Sequence, residues 1–76
     1  MKNLLEVKSH KTLKISQIDG GQNVRKKLSV MGIGVDSSIK VIRNAPFAGP
    51  LIIEHAGSQT AIGRGIAAKI QVEELE

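Results

Sequence analysis

Turn-forming residues are concentrated in one part of this chain, and their spacing limits the architectures open to it. Residues 44–65 hold both prolines, the only phenylalanine and four of the eight glycines, around an apolar triplet at residues 51–53. Proline cannot donate a hydrogen bond to a β-ladder, so Pro46 and Pro50 are expected to bracket a loop between two strands. The stretch therefore predicts apolar strands that reverse direction, with a protruding loop that either carries Phe47 outward or folds it back as a lid.

The hydrophobic period changes twice along the chain. Residues 11–18 alternate apolar and polar side chains, as a half-buried strand does. Val24, Leu28 and Met31 follow at the spacing of one helix face, and Gly32 is placed to end that helix. The remaining strands are predicted at residues 37–44, 51–55, 60–63 and 70–74, with one helical turn between residues 64 and 70.

This order of elements favours a mainly β fold. Five short strands with one α-helix inserted after the first suit a small, partly open barrel, because closure limits the number of exposed sheet edges. The chain has 76 residues, which is enough for one domain, so residues 1–76 are predicted to form a single folding unit. Loose ends are expected at residues 1–8 and at residue 76.

Composition excludes several classes of protein. The chain contains no cysteine, so neither a disulfide framework nor a thiolate zinc site is available. No apolar run approaches the ~20 residues that span a bilayer, and the first residues lack the apolar segment of a secretion signal. The sequence therefore predicts a cytoplasmic protein with no direct membrane insertion.

The charge is positive and unevenly distributed. The formal net charge is +4, and residues 1–72 carry 11 basic and 4 acidic side chains, a net +7. Such an excess favours binding to nucleic acid or to an acidic membrane surface. Proteins that bind single strands stack bases on aromatic rings, and this chain has one aromatic side chain. A solvated basic surface is therefore the preferred interpretation, and a basic RNA-binding barrel is the alternative.

Catalytic and metal-binding patterns are not visible in the sequence. His10 and His55 are far apart in the chain, and Glu54 points away from His55 if both lie on one strand. No serine lies in a nucleophile elbow, and the Gly32 and Gly34 pair follows a helix, whereas a phosphate-binding fingerprint precedes one. We therefore expect no enzyme activity, no cofactor and no metal site.

Residues 12–74 resemble the ferrous iron transport protein A family, FeoA. The most specific part is the stretch from Arg43 to Pro50, which contains the proline–glycine–proline pattern of the family. Further matching positions are Leu28, Met31, Gly32, Ile33, Ala61, Ile62, Arg64 and Ile70. The family usually has Pro-Gly where this chain has Val35 and Asp36.

The resemblance implies an SH3-like barrel that serves bacterial ferrous iron uptake as a cytosolic, non-enzymatic accessory of a permease with a GTP-hydrolysing domain. Similar barrels form the C-terminal domain of iron-dependent repressors, which gives a second reading, and a metal chaperone is a third. We expect the barrel to dock on the permease's cytosolic domain. Because arginine and aromatic side chains dominate interface energetics, the predicted partner-binding residues are Arg25, Lys26, Arg43, Phe47 and Arg64.

Overall fold

The computed structural model describes residues 2–44 and 49–75. These residues form six strands, two α-helices and a 3-10 helix at Leu4–Glu6. The strands are β1 (Lys2–Asn3), β2 (Thr12–Ile18), β3 (Ser38–Arg43), β4 (Leu51–His55), β5 (Ser58–Ile62) and β6 (Ile70–Glu74). The helices are α1 (Gly21–Val30), between β2 and β3, and α2 (Arg64–Ala67), between β5 and β6.

The six strands form one antiparallel sheet in the order β1-β6-β2-β3-β4-β5. The register shifts between Ile15 and Gln17 on β2 and between Val41 and Arg43 on β3. Irregularities of this kind bend a strand and increase its twist, which lets a short sheet curl around its own side chains. The predicted mainly β barrel with one inserted helix is confirmed, with one strand more than expected.

The core comes from the alternation that the sequence shows. On β2, Leu13 and Ile15 are fully buried, while their neighbours Thr12 and Lys14 are not. Ile70 and Val72 of β6 are buried in the same way. The other fully buried large side chains are Leu4, Val7, Leu28, Ile39, Val41, Leu51 and Ile53. Every buried side chain among the described residues is apolar, so burial of hydrocarbon is the main stabilising contribution.

The helix α1 ends at a left-handed glycine, as predicted. Gly32 has φ 77°, and its N–H donates to the Ser29 carbonyl at 2.9 Å. The N–H of Ile33 reaches back to the Leu28 carbonyl at 2.9 Å, which completes a Schellman motif with Ile33 packed near Leu28 in the core. The prediction that Met31 belongs to the buried stripe is wrong, because the chain turns at Gly32 and Ile33 enters the core instead.

The prediction of a loose N-terminal end is also wrong for residues 2–8. The side chain of Asn3 accepts a hydrogen bond from the Leu5 N–H at 2.9 Å, and Glu6 accepts from the Asn3 N–H at 3.1 Å, which is a capping box on the 3-10 helix. Leu4 and Val7 enter the core. The spacing of Asn3 and Glu6 is a sequence signal of this cap, whereas the burial of Leu4 and Val7 depends on packing.

Candidate functional site

The exposed cations predicted on the helix lie on α1. Arg25 and Lys26 are exposed, as is Lys27 in the last turn. Arg25 is anchored at its tip, because its Nη2 donates to the Ile18 carbonyl at 3.4 Å. Lysine or arginine near a helix C-terminus also interacts favourably with the helix dipole. The helix therefore presents a basic face held against the end of β2.

A carboxylate lies beside this basic face. Gln17 Nε2 donates to Asp19 Oδ1 at 2.6 Å, and Gln71 Nε2 donates to Asp19 Oδ2 at 3.2 Å. These hydrogen bonds, chiefly the one from Gln17, lower the pKa of Asp19, and the nearby charges of Lys69 and Arg25 lower it further. Asp19 is therefore anionic at neutral pH and offsets part of the positive charge around Arg25.

Apolar side chains are exposed where α1 ends. Val30 is 84% exposed, Met31 is 37% exposed, and Val35, in the following turn, is 54% exposed. Val30 lies off the buried stripe that the helix spacing defines, which is the one sequence signal that could have identified it. We call Arg25, Lys26, Val30, Met31 and Val35 together the α1 surface.

His55 fixes the turn that carries these apolar residues. Its Nε2 lies 2.8 Å from the Gly32 carbonyl oxygen, and its Nδ1 lies 3.1 Å from the Ser38 carbonyl oxygen. The end of α1 is thus tied to β3 through a side chain on β4. His55 therefore has a positioning role in the fold.

The other predicted partner-binding residues lie elsewhere. Arg43, at the end of β3, is exposed, and Arg64, at the start of α2, donates from Nη1 to Asn44 Oδ1 at 3.3 Å. Because β2 and β3 are antiparallel, Arg43 lies at the opposite end of that strand pair from Ile18, which Arg25 contacts. The fifth residue, Phe47, lies outside the described residues.

Asn44 organises this second group. Its Nδ2 donates to the carbonyl oxygens of Leu5 at 3.0 Å and Val7 at 2.9 Å, while its Oδ1 accepts from Arg64. The same amide therefore connects β3, α2 and the N-terminal segment. Arg64 thus has a structural contact in addition to any role in binding.

Residues 2–44 and 49–75 contain no group of three or more histidine, cysteine, aspartate or glutamate side chains placed to hold a metal ion. Lys2 Nζ donates a hydrogen bond to Glu74 Oε2 at 2.9 Å. This hydrogen bond, together with the positive charge of Lys2, lowers the pKa of the Glu74 carboxyl. None of the described helices is long and apolar enough to cross a membrane.

Comparison with known proteins gives one family. A family model described as the FeoA domain matches residues 2–74. A Methanocaldococcus jannaschii protein provisionally named Fe(2+) transport protein A is 48% identical over 62 residues, which make up 82% of this chain and 73% of that protein.

Solved structures of FeoA proteins have the same fold as this chain. The crystal structure of an iron uptake regulatory protein, FeoA, has a TM-score of 0.90 at 35% identity and covers 97% of both chains. FeoA from Chlorobium tepidum has a TM-score of 0.87 at 25% identity, over 99% of this chain and 71% of that one.

The same barrel occurs in larger proteins. A manganese-dependent transcriptional repressor in complex with manganese has a TM-score of 0.89 at 22% identity, over 97% of this chain and 36% of the repressor. At that identity the likeness concerns the fold alone. The family model and the relative at 48% identity agree, and this chain belongs to the FeoA domain family.

Proposed function

We propose that this chain is a non-enzymatic, cytoplasmic accessory protein of ferrous iron uptake that docks on the cytosolic GTP-hydrolysing domain of a ferrous iron permease. Membership of the FeoA family supports the role in iron uptake, because a relative at 48% identity carries the Fe(2+) transport name. The docking step is a hypothesis that requires a surface suited to a protein partner.

The α1 surface is the observation that carries the proposal. It combines the exposed cations Arg25 and Lys26 with the exposed apolar side chains of Val30, Met31 and Val35. Interfaces join an apolar centre to a polar rim, and arginine and methionine are enriched in them. The turn is also fixed in advance by the His55 contacts, which lowers the conformational entropy lost on binding.

The second group of predicted residues gives a separate candidate contact. Arg43 precedes Asn44 in the chain, and Arg64 donates to the Asn44 side chain. Phe47 follows Asn44 by three residues in the sequence, and arginine and aromatic side chains are the residue types of interface hot spots. We propose that these residues form a secondary contact, and that the α1 surface is the primary one.

The test is a binding titration of the full chain against the full-length permease in nanodiscs. Val30→Asp places a charge at the apolar centre and is expected to weaken binding by about tenfold or more, as a loss of about 1.4 kcal/mol would. Arg25→Glu is expected to lower the association rate and its dependence on salt, as reversed rim charges do. Arg43→Glu and Phe47→Ala test the secondary contact.

Two matched control variants make the same kinds of substitution at positions outside the α1 surface. Leu75→Asp alters another exposed apolar side chain, which is 49% exposed at the C-terminal end, and Lys8→Glu makes the same charge reversal as Arg25→Glu in the N-terminal segment. If the controls weaken binding as much as Val30→Asp and Arg25→Glu do, the α1 surface is not the docking site. If the wild type does not bind the permease, the docking proposal fails. A salt-sensitive shift with RNA instead would favour the RNA-binding alternative.

A further inference from the structure

The outer edge of β5 presents unpaired backbone groups. β5 is the last strand of the sheet and pairs with β4 alone among the described residues. The two strands are joined by a two-residue turn in which Ala56 and Gly57 both have positive φ, as in a type I′ hairpin. Such a turn is closed by a hydrogen-bonded pair, which here is His55 with Ser58.

The turn determines which residues of β5 face outward. Hydrogen-bonded and non-hydrogen-bonded pairs alternate along an antiparallel ladder. Starting from Ser58, the N–H and C=O groups of Ser58, Thr60 and Ile62 bond to β4, and those of Gln59 and Ala61 point away from it. Within residues 2–44 and 49–75, no backbone hydrogen bond outside the β-ladder involves Gln59 or Ala61.

This edge lacks the usual protection against strand addition. Natural edge strands carry charged side chains, prolines or bulges, or are kept very short. The opposite edge follows that rule, because β1 has two residues and includes Lys2. β5 has five residues, Ser58–Ile62, with no charge and no proline, and its register with β4 is regular. The two edges therefore differ, and only β5 is suited to accept another strand.

The charges around the edge favour an acidic occupant. On the outer face of the sheet, Ala61 lies beside Ile52, which in turn lies beside Arg43. Gln59 lies beside Glu54, which is paired with Lys40. Arg64 follows β5 by two residues. Arg43 and Arg64 thus lie towards the Ala61 end of the edge, whereas Lys40 and Glu54 lie opposite each other towards the Gln59 end, in a chain of formal net charge +4.

A second copy of this chain is a poorer occupant. Two copies would each bring a formal charge of +4 to the contact, and like charges disfavour association. A pair of five-residue strands also makes a ribbon only about 17 Å long, whereas stable interfaces bury about 1,200 Å² or more. The same ribbon suits an extended peptide, whose backbone hydrogen bonds supply affinity.

We propose that the β5 edge is a docking site for an extended acidic segment of a protein partner, which adds to the sheet as a seventh strand. The N–H and C=O groups of Gln59 and Ala61 bond to the segment, its carboxylates lie on the outer face of the sheet towards Arg43 and Arg64, and its apolar side chains alternate with them on the opposite face. The site does not depend on docking to a permease, and it uses none of the α1 surface.

The geometry is tested first in the free protein. Amide hydrogen exchange followed by NMR is expected to be at least about tenfold faster at Gln59 and Ala61 than at Thr60 and Ile62, because only the latter amides are bonded to β4. Equal protection at all four amides would overturn the assignment of the edge.

Binding is then measured with an eight-residue capped peptide that alternates valine with glutamate. The peptide is expected to bind with a millimolar or lower dissociation constant and to slow exchange at Gln59 and Ala61. A peptide that alternates valine with lysine is expected to bind at least about tenfold more weakly, and so is a valine–glutamate peptide with N-methylated glutamates.

Ala61→Pro removes one outward N–H and leaves the ladder to β4 intact, and it is expected to weaken binding of the glutamate peptide by about tenfold. Ala61→Ser keeps the N–H and is the matched control, with unchanged binding expected. If Ala61→Pro does not fold, the N-methylated peptide tests the same hydrogen bonds, and its binding as tightly as the unmodified glutamate peptide would overturn the proposal. So would equal binding of the glutamate and lysine peptides, or a concentration-dependent dimer that protects Gln59 and Ala61 without peptide.

Discussion

The glycine pair after α1 allows the contribution of one backbone conformation to be measured. Gly32 has φ 77°, and a Cβ added there would meet only His55 Nε2, at 3.8 Å, which is an ordinary contact. Gly34 has no left-handed φ, and a Cβ there would meet nothing within 4 Å. Neither substitution creates a clash, so Gly32→Ala and Gly34→Ala differ chiefly in the conformation that alanine must adopt.

The expected magnitudes follow from this difference. Alanine in the left-handed region costs about 1–2 kcal/mol. In the unfolded chain, alanine has fewer conformations than glycine, which favours folding by about 0.4–1 kcal/mol wherever the native conformation is compatible. Gly32→Ala is therefore expected to destabilise the fold by about 1 kcal/mol, and Gly34→Ala to stabilise it by about 0.5 kcal/mol. The unfolded-state contribution cancels in the comparison of the two variants.

Urea unfolding followed by far-ultraviolet circular dichroism measures both free energies of unfolding at constant slope. For a domain of this size, 1 kcal/mol also corresponds to about 4–8 °C in Tm. A Gly32→Ala variant as stable as Gly34→Ala would refute the reasoning, because it would mean that the left-handed Gly32 does not determine the end of α1.

Three further perturbations test the core, a turn and an ion pair. Leu28→Ala is expected to lower the free energy of unfolding by about 2–5 kcal/mol in urea unfolding, because it empties a fully buried site; a loss below 1 kcal/mol would contradict that packing. Ala56→Asn is expected to raise Tm by a few degrees, because Ala56 has φ 51° and asparagine tolerates that region better; a lower Tm would count against the turn assignment. Since the folded pKa of Asp19 is lowered, chiefly by the hydrogen bond from Gln17, its stabilising contribution is present at neutral pH and is lost as pH falls below the ordinary aspartate pKa and through the lowered one. Asp19→Asn should therefore make stability less sensitive to pH below about 4, the ordinary aspartate pKa, in acid titrations, and an unchanged pH profile would contradict this.

Much of the fold could be predicted because it depends on local patterns. The alternation of Leu13 and Ile15, the helix spacing of Val24 and Leu28, and the glycine at residue 32 each restrict the backbone within a few residues. Those restrictions survive packing, so five of the six strands, the helix α1 and its end agree with the prediction within about two residues. The strand β1 was not predicted.

The candidate site was less predictable because it depends on which elements meet. Arg25 and Arg43 are both exposed cations, and only the antiparallel pairing of β2 and β3 places them at opposite ends of that pair. In the sequence, the exposure of Val30 is indicated by one feature, its position off the buried stripe. No sequence feature indicates that β5 is an edge strand, since the position of a strand at the edge or centre of a sheet depends on strand order.

The sequence by itself determined the local conformations: where strands alternate, where α1 begins and ends, and that hydrocarbon burial without disulfides must stabilise the chain. The tertiary structure decided which of these elements lie side by side, and so brought residues 2–8 into the core, moved Met31 out of it and left β5 at an edge. The physical reason is that the two kinds of interaction act over different distances along the chain. Steric limits on φ and ψ act within a residue or two, whereas burial and strand pairing join residues that are dozens of positions apart, such as Lys2 and Val72.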